Sequence, residues 1–278
     1  MRAALAARRA RIEELLARGE PTEAALHDLR VALRRTAAAA RLTRGVPRHA
    51  DGEALREVAG DLRRSLSAQR TREVCAAILR RRFRDAARKE TARRLADDLR
   101  SDAAAPAQPM TPRLRVLRHA FDVREAQLLA PSPADSRALE ERLRKVVRRR
   151  LRKRRDRLVA AGVPESDTLH AARIGAKELR YSLELVAEAM PEAGPLLLLL
   201  QEFQGHAGDA HDRAELLEDV RRRVPRLPAA RARAARGLLP ALAADAERTL
   251  RRAQASARRL LPALQRAPLD WAEPSRNH

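Results

Sequence analysis

The sequence predicts an all-α protein, and three observations carry that expectation. Alanine, leucine, arginine and glutamate, all strong helix formers, dominate the 278 residues. β-branched residues are scarce and aromatics make up 2% of the chain, which leaves little material for strands. Apolar residues recur three and four positions apart through most of its length.

The elements follow in order. Residues 1–18 place Leu5, Ile12, Leu15 and Leu16 near one face, and Gly19 and Pro21 end that segment. A second helix is expected over 22–44, stopped by Gly45 and Pro47. Asp51 is a cap for a third, which carries Leu55, Val58, Leu62 and Leu66. A fourth is expected over 70–100, with Val74, Ile78, Leu79, Leu95 and Leu99. Ser101–Pro112 reads SDAAAPAQPMTP, whose three prolines make it the best internal linker. After Pro131-Ser132-Pro133, a helix is expected over 134–160, stopped by Gly162 and Pro164. Further helices are expected over 167–189, 195–205, 210–223 and 228–265, before an irregular tail at 267–278. The chain thus divides into two helical halves, 1–105 and 106–266, in keeping with a length that suits about two domains.

Charge narrows the class of partner. Lys+Arg number 59 against 37 Asp+Glu, a net +22 at pH 7, and only Lys89, Lys145, Lys153 and Lys177 are lysines. A genome rich in G and C favours arginine over lysine but does not explain an excess of bases over acids, so a polyanionic partner is expected. The lone Cys75 excludes an internal disulfide framework and a cysteine-rich zinc module. The longest aliphatic run, Leu196–Leu200, is far short of the roughly 20 residues of a membrane span. Arg8, Arg9 and Arg11 stand where an export signal needs apolar residues, so a cytoplasmic protein is expected.

An internal repeat locates the cations. Leu26-His27-Asp28-Leu29-Arg30-Val31-Ala32-Leu33-Arg34 returns as Leu169-His170-Ala171-Ala172-Arg173-Ile174-Gly175-Ala176-Lys177. The shared pattern is H-x-x-R-[VI]-x-x-[RK], once in each half. At about 100° per residue, positions 0, +3 and +7 fall within roughly 60° of one another. His27, Arg30 and Arg34 therefore form one stripe, which Arg41 rejoins and Arg35 flanks. His170, Arg173 and Lys177 form the other, and Arg180 extends it. Like charges at these spacings repel, and no acid at i±4 relieves the Arg30–Arg34 pair, the kind of local conflict that marks a functional site. Beside these cations the imidazoliums of His27 and His170 are disfavoured, so phosphate contact by them is expected to strengthen on acidification. A third basic stretch, Arg142–Arg157, is RLRKVVRRRLRKRRDR, with a helical seam at Leu143, Val147, Leu151 and Leu158. Arg144, Arg148, Arg152 and Arg155 lie in line along it.

LHDLRVALRR and LHAARIGAKELRY resemble the two signature helices of the conserved-histidine α-helical domain, the CHAD family, over about residues 20–265. In that family a glycine-and-acid turn follows each signature helix. Gln201–Asp209 matches the second such turn, while the first, Leu66–Thr71, departs with Ser67 for glycine and Thr71 for aspartate. Ala37 departs too, where a base is usual. The resemblance implies two bundles of about four helices each, related by a pseudo-twofold, with the basic helices lining a central groove or pore. It also implies binding of inorganic polyphosphate, association with polyphosphate granules and no cofactor. On that reading His27, Arg30, Arg34, Arg35, Arg41, His170, Arg173, Lys177 and Arg180 face the phosphates, and Arg144, Arg148, Arg152 and Arg155 widen the same groove.

The residues favour that reading independently. A phosphate chain has no bases to stack, so its binder needs guanidinium forks and no rings, whereas single-strand nucleic-acid binders present aromatics. Tyr181, the one ring beside a basic stripe, is expected in the core. A rival is duplex nucleic-acid binding through the Arg142–Arg157 helix. Enzymatic readings rank lower: the sequence has no P-loop, no G-x-G-x-x-G and no H-E-x-x-H. His206, Asp209, His211 and Asp212 have spacing that suits a metal-dependent phosphohydrolase, but Asp209 is expected instead to cap a helix beginning near 210.

Overall fold

The computed structural model describes residues 71–103, 133–187, 190–267 and 269, together with positions 10, 13, 14, 17, 28, 31–35, 37, 38, 41, 42, 57, 60, 112, 115, 116, 118, 119 and 122. Among these, every regular element is helical. The described positions between 28 and 42 form α1, and residues 71–82 form α2. Then come α3 (Ala86–Ala103), α4 (Pro133–Ala161), α5 (Leu169–Glu184), α6 (Gly194–Arg223), α7 (Ala229–Arg236) and α8 (Leu239–Arg266), with 3-10 turns at Pro191–Ala193 and Val224–Arg226. No helix among the described residues is long and apolar enough to cross a membrane.

Among the described residues two apolar cores stabilise the fold, and α6 and α8 run through both. One gathers Leu42 of α1, Val147, Leu151 and Leu158 of α4, Leu179 and Leu183 of α5, Leu200 and Phe203 of α6, and Leu260 and Leu264 of α8. The other packs Leu79, Phe83, Leu95 and Leu99, from α2 and α3 and the link between them, against Leu216, Val220, Leu238 and Leu242. At 1.5 Å per residue the 30 residues of α6 are about 45 Å long, enough to serve two cores end to end. Where α2 meets α8, the buried Asp245 accepts the Arg82 guanidinium and pairs with Arg248.

Several boundaries differ from those the sequence predicts, each for an identifiable reason. The helix expected over 70–100 breaks at residues 83–85, where Phe83 turns into the core and Asp85 caps α3. The Arg88 N–H donates to Asp85 Oδ1 at 2.9 Å, and the Lys89 N–H to the Asp85 carbonyl at 2.9 Å. The helices expected over 195–205 and 210–223 are one. Leu196, Leu200, Phe203, Ala207 and Ala210 hold a single buried stripe straight through the glycines. Burying that stripe outweighs the propensity cost of Gly205 and Gly208, about 1 kcal/mol each. Asp209 therefore caps nothing: it sits mid-helix and pairs with Arg213 at 3.7 Å. The helix expected over 228–265 divides at Gly237, and Pro240 falls in the first turn of α8. That over 167–189 ends at Glu184, where the Val186 N–H turns back to the Leu183 carbonyl. Other signals act as read. Pro133 opens α4, and Gly162 follows its end at φ +66°, a conformation suited to glycine. Linker positions Ser101–Ala103 extend α3, and residues 104–111 and the segment 61–70 lie outside the described residues.

Candidate functional site

α5 is positioned by contact on two sides. Leu169, Ala172, Ala176, Leu179 and Leu183 bury one face against α6. On a second flank, Gly175 lets α4 approach closely: a Cβ there would stand 3.0 Å from Leu158 Cδ2. The Arg154 guanidinium, also from α4, donates to Ser182 Oγ. α1 is held to the same assembly by carboxylates of α5. Arg35 Nε pairs with Glu184 at 2.9 Å, and Arg41 Nη1 with Glu178 at 3.0 Å. Arg150 of α4 donates to the Arg41 and Leu42 carbonyls at 2.8 and 2.7 Å.

These contacts bring the two halves of the repeat together. His27 and Arg30 lie outside the described residues, but Arg34 of α1 is close enough to Arg173 and Lys177 of α5 to depress the basicity of both. α6 closes the other side of the cleft. The rings of His170 and His211 have centroids 5.0 Å apart, tilted by 49°. Gln204, Gly208, His211 and Glu215 share a stripe of α6 at helical spacing, and Asp212 lies beside it. Gln204 is 93% buried, its Nε2 has no hydrogen-bond partner, and neither has the buried Nε of Arg173. Among the described residues, none of Arg34, Arg173 and Lys177 has a carboxylate within ion-pair distance.

The electrostatics record the crowding. Burial, reinforced by Arg173, Arg34 and Arg180, pushes the Lys177 amine down to about 7, against the pull of Asp212. Burial with Arg173, His170 and Lys177 pushes His211 down to about 4. Burial also lowers Arg173, opposed by Asp212 and Glu215. The Asp212 carboxyl is raised by its own burial, with Arg173 opposing. The cleft is thus a desolvated cationic cluster in which Asp212 is a partial internal counter-charge.

The remaining site residues divide into two groups. Arg180 pairs with Glu184 at 3.3 Å and lies 4.8 Å over the ring of Tyr181, which is buried as expected. With Arg35 and Arg41 it belongs to the scaffold that joins α1 to α5, through glutamates that the repeat pattern alone did not weigh. Arg144, Arg148, Arg152 and Arg155 lie along a flank of α4 other than the one that carries Arg150 and Arg154 to α1 and α5. The Val147–Leu151–Leu158 seam fixes the rotation of α4, and Arg148 and Arg152 turn to a groove on its outward face. Arg155 donates to the Ala267 carbonyl at 3.0 Å, and Arg144 is half-buried. Arg150 and Arg154, adjacent in sequence to that line, are the α4 cations that reach α1 and α5.

A family model for the CHAD domain matches residues 1–221. The chain belongs to the CHAD family. No curated protein matches it. The match begins before the expected residue 20 and stops before α7 and α8, yet α8 packs along α6 and completes both cores of this CHAD chain. The second family turn, Gln201–Asp209, is here the middle of α6, just before His211, whose ring meets that of His170. Sequence reasoning missed His211 as a partner of α5; its i, i+7 spacing from the buried Gln204 on one stripe of α6 was the available signal. His206 lies roughly 140° round α6 from His211. Among the described residues no three His, Cys, Asp or Glu side chains gather closely enough to hold a metal ion.

Proposed function

We propose that this CHAD protein binds inorganic polyphosphate in the cleft between α1, α5 and α6 without catalysis, and through that binding associates with polyphosphate granules in the cytoplasm. The observation that carries the reading is the Arg34–Arg173–Lys177 cluster: three half-buried cations from both repeat halves, brought together with no carboxylate at ion-pair distance among the described residues. Such a cluster is costly unless an anion completes it, because like charges in a low-dielectric site repel strongly. Phosphate oxygens would accept from the Arg173 and Gln204 N–H groups that lack partners, and would favour the charged form of Lys177. A chain of phosphates supplies such oxygens at every step and needs no aromatic platform.

The test is polyphosphate affinity of R34Q/R173Q/K177Q against the unmodified protein, with helicity followed by circular dichroism. A loss of about 100-fold, roughly 3 kcal/mol, is expected at unchanged helicity. The slope of log affinity against log salt should shrink by about 2. Unchanged affinity in a folded variant would overturn the reading.

A further inference from the structure

The cleft leaves a second concentration of cations unused. On the face of α4 away from its buried seam lies a groove of about 580 Å³, lined among the described residues by Lys145, Arg148, Arg149, Arg152, Lys153 and Arg157 with one acid, Asp156. Lys145, Arg149, Lys153 and Arg157 follow one another at i+4, a file about 18 Å long. Arg149 stands roughly 180° round the helix from the buried seam. Arg150 and Arg154, which touch α1 and α5, occupy a different flank. Groove and cleft therefore open on different sides of α4.

Among the described residues, several of the cations in this groove stand without an acid beside them. Asp156 is engaged by Arg155 at 2.9 Å, and Glu141 reaches Lys145 across an exposed 2.8 Å pair, a kind of contact worth little in water. Arg149, Lys153 and Arg157 have no carboxylate partner among the described residues. Shape and lining then choose the occupant. Among the described lining residues no aromatic side chain is present for bases to stack on. Helices that read a duplex project into its major groove, whereas α4 is seated by its seam and presents these cations within a concavity. A thin, flexible chain of phosphates fits such a groove; a duplex does not enter it.

We infer that the outward face of α4 is a second lane for a linear phosphate polyanion, separate from the cleft, so that one protein molecule holds two chain segments and bridges them. The inference rests on the polyphosphate reading of the cleft for the identity of the ligand.

The four lysines make it testable by limited amine labelling read by mass spectrometry. Lys177 reports the cleft, Lys145 and Lys153 the outward groove, and exposed Lys89 of α3 neither. Long-chain polyphosphate is expected to reduce labelling of Lys145 and Lys153 severalfold, in the unmodified protein and in R34Q/R173Q/K177Q alike, with Lys89 unchanged. R149Q/R157Q is expected to lose that protection, keep protection of Lys177, and lose the light scattering that bridged chains produce. Protection of Lys177 with none at Lys145 and Lys153 would overturn the second lane and leave the cleft reading standing. Protection of Lys145 and Lys153 by a DNA duplex but not by polyphosphate would also overturn it. Protection of no lysine would overturn both readings.

Discussion

Lys177 carries the most testable chemistry at the residue scale. Its amine titrates near 7 in the cleft, against the ordinary 10.5, so the free protein holds it partly neutral at physiological pH. A polyanion favours the charged form. Binding between pH 7 and 10 should therefore take up protons, and affinity should fall as pH rises across that window. Calorimetry in buffers of different ionisation enthalpy measures the uptake, and Lys177→Arg should abolish this lysine's share. Proton release would contradict the geometry. The stability effect runs the opposite way. Between pH 7 and 10.5 the unfolded chain binds the extra proton, so this group makes the free protein more stable as pH rises. His211, pushed down to about 4, likewise removes stability as pH falls from 6.5 toward 4, a slope that His211→Gln should flatten in chemical denaturation. Asp212 partly balances the cluster, so Asp212→Asn should tighten polyphosphate binding. Because burial raises the Asp212 carboxyl, its charge is held at a cost, and the same variant should also raise the stability of the free protein at pH 7. Arg34, Arg173 and Lys177 were legible from the repeat because helical periodicity alone aligns them. His211 was not, because its contact with His170 depends on which face α6 turns toward α5.

Helices were legible in type but not in extent. Glycine and aspartate read locally as a break at 205–209, yet burial of one stripe from Leu196 to Ala210 keeps α6 continuous. Gly205 and Gly208 are helical, and a Cβ on either would meet nothing within 4 Å. The double variant G205A/G208A should therefore raise stability by about 1–2 kcal/mol in urea denaturation, since alanine is the better helix former. A loss would mean that the glycines serve a bend. Gly175 is the opposite case. A larger side chain there meets Leu158 of α4, so Gly175→Leu should cost about 1–3 kcal/mol and loosen α5 from α4. Asp85 shows what propensity could not foresee: its cap ends a run that otherwise reads as one helix, and Asp85→Ala should cost about 1 kcal/mol.

For the whole molecule, the all-α class follows from composition and apolar spacing, while the approach of Arg34 to the second signature helix is what the resemblance to the CHAD signature helices implies. The placement of Arg142–Arg157 did not follow, since which flank of a basic helix faces a cleft depends on partners distant in sequence. The cores likewise cross the midpoint of the chain: α2 and α3 pack on the far ends of α6 and α8. A net charge of +22 will attract any polyanion, so the central claim is one of location. The decisive measurement compares polyphosphate affinity at about 0.15 M salt for R34Q/R173Q/K177Q and for R233Q/R236Q/R252Q, which removes the same charge from exposed positions of α7 and α8. The cleft account expects the first to lose about 100-fold and the second to lose severalfold at most. Equal losses would show that total charge, and not the half-buried cluster, holds the chain of phosphates.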